Sequence, residues 1–463
     1  MERGLEIPKF VIDLSKPPEA RYAHIVPHFQ AQIDNCDLSG LFHGLLRDLT
    51  GPKIGKCLSA LARLSMRRLY MAEESAELVG ISKATGIPMH VLVGFNVILD
   101  LLLGCTSGGV RTISPGISSP NLQTQMLHFR TLDWGMDQLR KIIVELDFVR
   151  SDGGPVIATT VTYLGYVGVL TGVRKGLSMS LNFRPYHARN SWRQRASFRW
   201  QQAMVILGLR QSISSVLRGF LLGPAQSNQE GVAKRSSRLV VNEKDVEEVQ
   251  DDYIQAILST QATSPSTAAY LILCRPDKVF IIEKDHRQAS IRQSDTFLTA
   301  YNHDASDEVQ LQQRERQEAA SETELEESQQ LQEAVSEIEV DQSEQRQEAT
   351  SDIESQNTSD DSCEEDAIGM TTILSYSFDR KTCLDEMWED QVRACQQLHQ
   401  RQDKVVTLDD VKLFLKDEDI SNDETHYAVI MDPKAGTILW RRAYEADESS
   451  ESDESTEFDE ANN

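Results

Sequence analysis

The sequence predicts an α+β protein in which a helical region comes first and strands and helices are then layered on each other. Three observations carry this prediction. Residues 7–104 have the composition of helices, short β-branched runs begin near residue 142, and helical composition returns after residue 191. The chain has 463 residues and 40% of them are hydrophobic, which is enough for a sizeable core in one large domain or two smaller ones.

The first 104 residues are expected to be helical. Cys57 to Leu78 is rich in Ala, Leu, Arg, Met and Glu, which favour helices. A nearby apolar run, Val91 to Gly104, is interrupted by Asn96 and Asp100 and is shorter than the roughly 20 residues that span a bilayer. We therefore expect a buried element there rather than a membrane span.

Short apolar runs separated by glycines then predict an antiparallel β region, with strands at Ile142 to Phe148, Val156 to Thr162 and Leu177 to Asn182. Two later hairpins are predicted, the first at Ala268 to Cys274 with Lys278 to Glu283, the second at His426 to Met431 with Thr437 to Arg442. Helices are predicted over Ser191 to Leu222, Glu243 to Thr260 and Leu384 to Arg401.

The acidity of the chain is concentrated in two stretches. The formal net charge of −25 argues against nucleic acid as a partner, because phosphate binding needs clustered Lys and Arg. Residues 305–368 carry 21 acidic side chains against three arginines, and residues 445–463 carry nine against no basic one. Both stretches are poor in aromatic residues, so we predict a disordered insert and a disordered tail. A frayed helix is the alternative for the insert.

The seven cysteines are far apart and include no Cys-x-x-Cys pair, so neither a zinc ribbon nor a dense disulfide framework is expected. The N-terminus lacks an apolar segment of the roughly 7 to 15 residues that a secretory signal needs. Taken as written, the sequence predicts a cytoplasmic protein.

A cysteine, an arginine and an aspartate follow one another in the chain in a way that suggests a thiol hydrolase. Cys105 closes the apolar run, and Arg130 and Asp133 come after a segment rich in Gly, Pro and Ser. Common signatures such as Gly-x-Ser-x-Gly, His-Glu-x-x-His and the Walker loop are missing from the sequence. Taken alone, Cys105 would more often be a buried structural thiol, and Arg130 with Asp133 a surface ion pair.

Several blocks, in one order along the chain, resemble the acid ceramidase and N-acylethanolamine acid amidase family of N-terminal nucleophile (Ntn) hydrolases. The blocks are Ile7 to Leu14, Gly94 to Asn96 with Cys105 to Ser107, Leu164 to Gly172, Leu181-Asn182, Thr299 to Asp304, and Asp379 to Lys381 with Cys383-Leu384. The resemblance covers residues 7–304 and 376–442, and leaves out the acidic insert and tail.

The resemblance implies the αββα sandwich of Ntn hydrolases, preceded by a small helical subunit. It implies a precursor that is cut between Gly104 and Cys105, giving a helical α chain, 1–104, and a catalytic β chain. The β chain would run over 105–304 and 369–444 and would be interrupted by the insert, 305–368, and followed by the tail, 445–463. The two chains would form an α/β heterodimer.

Roles for site residues also follow from the resemblance. Cys105 would be both nucleophile and base, since a free α-amine can take the thiol proton. Asp133 would orient that amine, Arg130 would place a cation beside the thiolate, and Asn302 would donate its amide to the oxyanion. Arg380 would complete the polar cluster. From the residues alone, Asn302 could instead cap a turn and Arg380 could anchor the chain after the insert.

Three features depart from the family. Phe183 stands where the family has a Glu, the gap from Cys105 to Arg130 is longer, and a gapless match places Ala300, not Asn302, where the family has its Asn. The longer gap suggests an enlarged hairpin loop.

The expected activity is hydrolysis of the amide bond of ceramide to a sphingoid base and a fatty acid, without cofactor or metal. The alternatives are hydrolysis of N-acylethanolamines or other linear amides, and an uncleaved binding protein without catalysis. The family implies an acidic lysosomal or vacuolar compartment, in conflict with the cytoplasmic prediction. Trp192, Trp200 and the arginines between them predict peripheral membrane contact, unless this helix packs its aromatic side chains on the sheet.

Overall fold

The computed structural model describes residues 6–50, 60–98, 104–113, 124–184, 192–223, 254–259, 261, 264, 266–285, 288–307, 365–399 and 402–445. Apart from residues 305–307 and 365–368, which are helical, the predicted insert lies outside these residues, and so does the predicted tail beyond Glu445. Of the helix predicted over 243–260, residues 254–259 are described, and they are helical.

The chain divides into two compact units. One comprises residues 1–302 and 379–463, and the other comprises His303–Phe378. In the described part of the smaller unit, the His303 ring stacks on Phe378 with centroids 4.1 Å apart, and its Nδ1 lies 2.7 Å from the hydroxyl oxygen of Ser377. All five predicted catalytic residues belong to the larger unit.

Thirteen strands lie in the described part of the chain, numbered in chain order: β1 Lys9–Asp13, β2 Gly104–Ile113, β3 Thr124–Asp133, β4 Ile143–Val149, β5 Val156–Tyr163, β6 Thr171–Arg174, β7 Leu177–Phe183, β8 Ala269–Cys274, β9 Val279–Lys284, β10 Ala289–Ser294, β11 Phe297–Ala300, β12 Thr425–Asp432 and β13 Thr437–Ala443. They form an eight-stranded sheet in the order β1-β4-β5-β6-β7-β8-β9-β10 and a five-stranded sheet in the order β11-β2-β3-β12-β13. The β region and both hairpins predicted from the sequence are confirmed.

The named helices are α1 Gln30–Asn35, α2 Leu38–Thr50, α3 Ala72–Thr85, α4 Met89–Ile98, α5 Trp192–Ile206, α6 Ile213–Leu222, α7 Glu365–His399 and α8 Leu408–Phe414. Helix α6 begins at Ser212, whose hydroxyl accepts a hydrogen bond from the Ser215 amide. Its apolar face packs on β5, β6 and β7 of the larger sheet.

On the other side, Leu384 and Val392 of α7 and Val411 of α8 form a core with Leu127 and Ile430 of the smaller sheet. The layers therefore run helix, sheet, sheet, helix, as the αββα prediction requires.

The helical prediction for residues 7–104 is wrong at both ends, because Lys9–Asp13 is strand β1 and Gly104 begins strand β2. Strand β1 pairs in parallel with β4, so that Lys9 lies opposite Glu145. The Lys9 ammonium contacts the carboxylates of Glu145 and Asp147 at 2.8 and 2.9 Å. A strand whose partner lies more than a hundred residues away leaves little local signal in the sequence.

Gly109 of β2 marks a close approach of the two sheets. A Cβ atom at this position would lie 2.5 Å from the Cβ of Val279 and 2.9 Å from the sulfur of Cys274, both in the larger sheet. On the neighbouring strand β3, directly opposite Gly109, the buried ring of His128 bridges to the hydroxyls of Ser178 and Ser180 at 3.0 and 2.9 Å. Among the described residues, no helix is long and apolar enough to cross a membrane.

Candidate active site

Cys105 is the second residue of β2 and faces the space between the two sheets. It lies opposite Leu132 of β3, and Gly104 lies opposite Asp133. Its side chain is fully buried and is part of the main hydrophobic core. Because the sheet sets the backbone on both sides of the Gly104–Cys105 bond, the thiol and this peptide bond have a fixed relation to their neighbours.

Arg130 of β3 donates a hydrogen bond from Nη2 to the Cys105 sulfur at 3.1 Å. The same nitrogen donates to the carbonyl of Leu181 at 2.8 Å, and Nη1 donates to the hydroxyl of Thr171 at 2.6 Å and to the carbonyl of Leu170. The guanidinium is completely buried. Arg130 thus places a fixed cation beside the thiol, where it favours the thiolate.

Asp133, Arg380 and Asn302 form the second half of the cluster. Arg380 donates from Nη1 to Asp133 at 2.5 Å and from Nη2 to the side-chain oxygen of Asn302 at 3.0 Å. The hydroxyl of Thr425 donates to the other carboxylate oxygen of Asp133 at 2.7 Å. All five predicted catalytic residues therefore lie in one cluster. The alternative prediction, a surface ion pair between Arg130 and Asp133, is wrong, because both side chains are buried and each contacts a different partner.

The orientation of Asn302 differs from the sequence-based expectation. Its oxygen accepts from the backbone N–H of Cys105 at 3.1 Å and from Arg380, while its nitrogen donates to the carbonyl of Phe183 at 2.9 Å. The oxygen accepts from two donors, which fixes the orientation of the amide. In the uncut chain the Asn302 side-chain nitrogen therefore donates to Phe183 and is not positioned as an oxyanion donor. Asn302, rather than Asp133, is the group in contact with the nitrogen that would become the α-amine.

Asn182 is a site residue that sequence reasoning missed, although the Leu181-Asn182 block was noted. Its side-chain nitrogen donates to the carbonyl oxygens of Cys105 at 3.3 Å and Ala300 at 3.0 Å, and its oxygen accepts from the hydroxyl of Ser107 at 2.8 Å. Asn182 is fully buried. It holds β2 and β11 against β7 at the nucleophile.

Burial and charge act in opposite directions on the titrating groups. Burial raises the pKa of the Cys105 thiol, while the Arg130 guanidinium lowers it. Burial also raises the pKa of Asp133, against the lowering effect of Arg380. The thiol therefore needs both a nearby cation and a base before it can act as a nucleophile.

One group of side chains has the composition of a metal site. Ligand atoms of Cys383, Asp417 and Asp419 lie within 4.8 Å of one another. The thiol of Cys383 donates to Asp417 at 3.7 Å, and burial with the two carboxylates raises its pKa to about 12. A protonated thiol that donates to a carboxylate accounts for this group. The five cysteines in the described part of the chain, Cys36, Cys105, Cys274, Cys383 and Cys395, are free thiols.

The sequence is similar to known proteins that are named as acid amidases and acid ceramidases. Residues 6–70 match the family model described as the beta subunit of N-acylethanolamine-hydrolyzing acid amidase. N-acylethanolamine-hydrolyzing acid amidase of Caenorhabditis elegans is 30% identical over 187 residues, or 38% of this chain and 47% of the relative. Acid ceramidase of Mus musculus is 33% identical over 123 residues, or 23% of this chain and 28% of the relative.

Parts of this chain are thus similar to acid ceramidase and to N-acylethanolamine-hydrolyzing acid amidase. The chain spans about half or less of the curated relatives it matches. A solved structure of the C. elegans N-acylethanolamine-hydrolyzing acid amidase ortholog matches 71% of this chain and 93% of that chain, with 16% identity and a TM-score of 0.38. The family model that matches the N-terminal region carries the name of a beta subunit, whereas residues 1–104 were predicted to form an α chain.

Two of the departures from the acid ceramidase family can be located in the structure. Ala300 is buried in β11 opposite Ser107, and it is Asn302 that contacts Cys105, so the shifted match is the one that fits the site. Phe183 packs its side chain against the main core while its carbonyl accepts from Asn302. The middle of the longer Cys105 to Arg130 gap, residues 114–123, lies outside the described residues.

Proposed function

We propose that this protein is an N-acyl amide hydrolase whose nucleophile, Cys105, becomes N-terminal when the precursor cuts itself after Gly104. The observation that carries the proposal is the double contact of Cys105, whose sulfur lies 3.1 Å from the Arg130 guanidinium and whose backbone nitrogen lies 3.1 Å from the Asn302 oxygen. One residue then has its thiol beside a cation and its nitrogen beside an acceptor that can hold an amine.

The first reaction is the cut itself. The thiol sulfur attacks the carbonyl carbon of Gly104, the C–N bond to Cys105 breaks, and the nitrogen takes the thiol proton to become a free amine. Water hydrolyses the resulting thioester, which leaves a carboxylate at Gly104 and a free thiol at Cys105. Because the sulfur is fully buried in the uncut chain, the neighbouring Gly104 carbonyl is the substrate that lies beside it.

Hydrolysis of an external amide reuses the same atoms. The α-amine takes the thiol proton, the thiolate attacks the amide carbon, and the ammonium returns a proton to the leaving amine. Water, activated by the amine, then releases the fatty acid from the acyl-thioester. Asn302 holds the amine through its oxygen, and Arg130 stabilises the thiolate.

The proposed substrate is ceramide, and an N-acylethanolamine is the alternative. The names of the two relatives support this pair, since one is an acid ceramidase and the other an N-acylethanolamine-hydrolyzing acid amidase. Both substrates are lipid amides that place an apolar acyl chain next to a polar amine.

An exposed apolar surface supports contact with lipid. The indoles of Trp192 and Trp200 on α5 are 68% and 62% exposed, so the alternative in which they pack on the sheet is wrong. Gly208 lies against the Arg68 backbone, and exposed Leu207 and Leu209 flank that contact. With Arg193 stacked on the Trp192 ring, the exposed indoles of α5 suit the headgroup region of an anionic membrane.

The first experiment is the intact mass and N-terminal sequence of the purified protein, incubated at acidic and at neutral pH, beside a Cys105→Ala control. The expected result is a new chain that starts at Cys105 in the wild type and is absent from the control. Turnover of ceramide and of an N-acylethanolamine is then compared. An uncut wild type at every pH would contradict the proposal.

The second candidate is an uncleaved binding protein without catalysis. Phe183 favours it, because a phenyl side chain replaces a family carboxylate beside the site. The same mass measurement separates the two, since this candidate requires an intact Gly104–Cys105 bond.

A further inference from the structure

Thr171, the first residue of β6, contacts the site although it is far from the nucleophile in sequence. Its hydroxyl oxygen lies 2.6 Å from Arg130 Nη1 and 2.9 Å from the phenol oxygen of Tyr427 on β12. The Tyr427 phenol in turn lies 3.2 Å from the carbonyl oxygen of Val161 on β5. Thr171, Tyr427 and Arg130 are all fully buried.

The chemistry of these groups fixes the direction of each hydrogen bond. A guanidinium can only donate, so Thr171 accepts from Arg130 and must use its own proton toward Tyr427. The phenol oxygen therefore accepts from Thr171, and its proton goes to the Val161 carbonyl, which can only accept. The chain thus runs in one direction, from Arg130 through Thr171 and Tyr427 to Val161, and crosses between the two sheets at each step.

We propose that Thr171 and Tyr427 are positioning residues that aim the Arg130 guanidinium at the Cys105 sulfur, Thr171 directly and Tyr427 through Thr171. The inference rests on the proposed function, in which Arg130 stabilises the Cys105 thiolate. The carbonyls of Leu170 and Leu181 also hold the guanidinium, but Thr171 is its side-chain anchor on Nη1.

Burial raises the pKa of Tyr427, while the Arg130 charge and the hydrogen bond with Thr171 lower it. Four other charged or titratable groups interact electrostatically with Cys105 or Arg130, namely Asp133, Arg380, Tyr163 and His128. A poorly aimed Arg130 would lose part of its effect on the thiol, so the thiol would ionise at higher pH.

The test measures the pH midpoint of Cys105 ionisation in the full-length chain, read by NMR from the Cβ signal of ¹³C-labelled cysteine and assigned with a Cys105→Ala variant. Thr171→Val keeps the side-chain shape and removes the hydroxyl, and the midpoint is expected to rise by about one pH unit. Tyr427→Phe leaves the Arg130–Thr171 contact in place, so a smaller rise, about half as large, is expected. Thr171→Ser restores the hydroxyl and should return the midpoint close to that of the wild type.

The double variant Thr171→Val with Tyr427→Phe sharpens the test, because Tyr427 acts only through Thr171. Its midpoint should match that of Thr171→Val alone, as expected for residues in one network. An unchanged midpoint in both single variants, a larger rise for Tyr427→Phe than for Thr171→Val, or additive rises in the double variant would overturn the inference. Thermal unfolding of each variant identifies one that fails to fold, and the remaining single variant then decides by the same criterion.

Ionisation of the thiol needs neither self-cleavage nor turnover, so it separates this inference from the proposed function. A wild type that stays uncut and inactive refutes the proposed function, while the ionisation midpoints still decide whether Thr171 and Tyr427 aim Arg130. In an active enzyme, the acidic limb of the hydrolysis profile should move in the same order, with the larger effect on kcat than on KM.

Discussion

Two buried ionic clusters lie in the same fold and differ in how completely their groups are paired. In the first, which we call the clamp, Glu77 of α3 accepts from Arg21 at 2.8 Å and from both terminal nitrogens of Arg218 on α6 at 2.6 and 2.7 Å. In the second, the site cluster around Cys105, the Nε atoms of Arg130 and Arg380 are buried without a hydrogen-bond partner in the described structure.

The difference indicates that the two clusters serve different purposes. The clamp joins residues before Gly104 to residues after Cys105, so it would hold the two proposed chains together after the cut. The site cluster instead leaves the Nε atoms of two buried guanidinium groups without a partner, and such unfavourable contacts are typical of sites built for chemistry. Changes in the clamp should affect stability, and changes in the site cluster should affect activity.

The largest effect on activity is expected from Cys105→Ala. This change removes the nucleophile, so both the cut and amide hydrolysis should be abolished, whereas the free energy of unfolding should change by about 1 kcal/mol or less. Product release and denaturant unfolding, measured on the same preparation, check the expected loss of activity and the expected small change in the free energy of unfolding. A loss of several kcal/mol would show that the thiol is structural.

The clamp should show the opposite behaviour in Glu77→Gln. Removing a carboxylate that two buried arginines share should lower the free energy of unfolding by about 3–5 kcal/mol, because those cations lose their counter-charge. Glu73→Gln is the matched control: its side chain is 51% exposed and contacts the same Arg21, so a change below about 1 kcal/mol is expected. Equal losses in the two variants would refute the role of the clamp.

Arg380→Lys tests the second half of the site cluster. A lysine cannot contact Asp133 and the Asn302 oxygen in the forked geometry of a guanidinium, so Asn302 should lose its fixed orientation. The rate of self-cleavage is expected to fall roughly tenfold to a hundredfold, as for other displaced catalytic geometry. Lys381→Arg, one position along α7 and partly exposed, is a suitable control, read by the same time course of the cut chain.

The smallest effect concerns the pH dependence of Glu74, which lies on α3 one turn before Glu77 of the clamp. Burial raises the pKa of Glu74, whose carboxylate accepts from Ser215 on α6 at 2.7 and 2.8 Å. A raised folded-state pKa stabilises the fold at pH below the ordinary value of 4.5, and this contribution is lost as the pH rises through the raised value.

Glu74→Gln removes that titration. The unfolding free energy of the wild type minus that of the variant should therefore decrease from below pH 4.5 toward neutrality. Urea unfolding at several pH values gives this difference. A difference that stays constant with pH would show that Glu74 does not titrate in the folded state.

Local signals made much of the fold predictable. The turn at Pro276-Asp277 and the loop at residues 432–436 mark the β8–β9 and β12–β13 hairpins, because turn residues lie between two β-branched runs. Strand β1 escaped prediction because its partner β4 is distant in sequence. Strands β10 and β11 were also not predicted, as β10 is polar and β11 is short.

Residues of the candidate site could be identified from the sequence, but the contacts between them could not. Family motifs identified Cys105, Arg130 and Asp133, yet the contacts that orient them depend on side chains from other strands. Asn182 and Thr171 stand in strands that are buried on both faces, so the sequence pattern does not show which group they contact. The orientation of the Asn302 amide likewise depends on the Phe183 carbonyl, which has no signature in the sequence.

The close approach at Gly109 has a consequence for how the interior of this molecule can change. At Gly109 a bare backbone separates the sheets, whereas at Cys105, four residues along the same strand, the side chains of Arg130 and Tyr427 fill the space between them. The spacing between the layers is therefore set locally, because no Cβ atom fits at Gly109 although the imidazole of His128, its partner on β3, lies between the sheets. Any side chain at Gly109 would push β2 away from Val279 and Cys274, so this position cannot accept a larger residue without a shift of the strand.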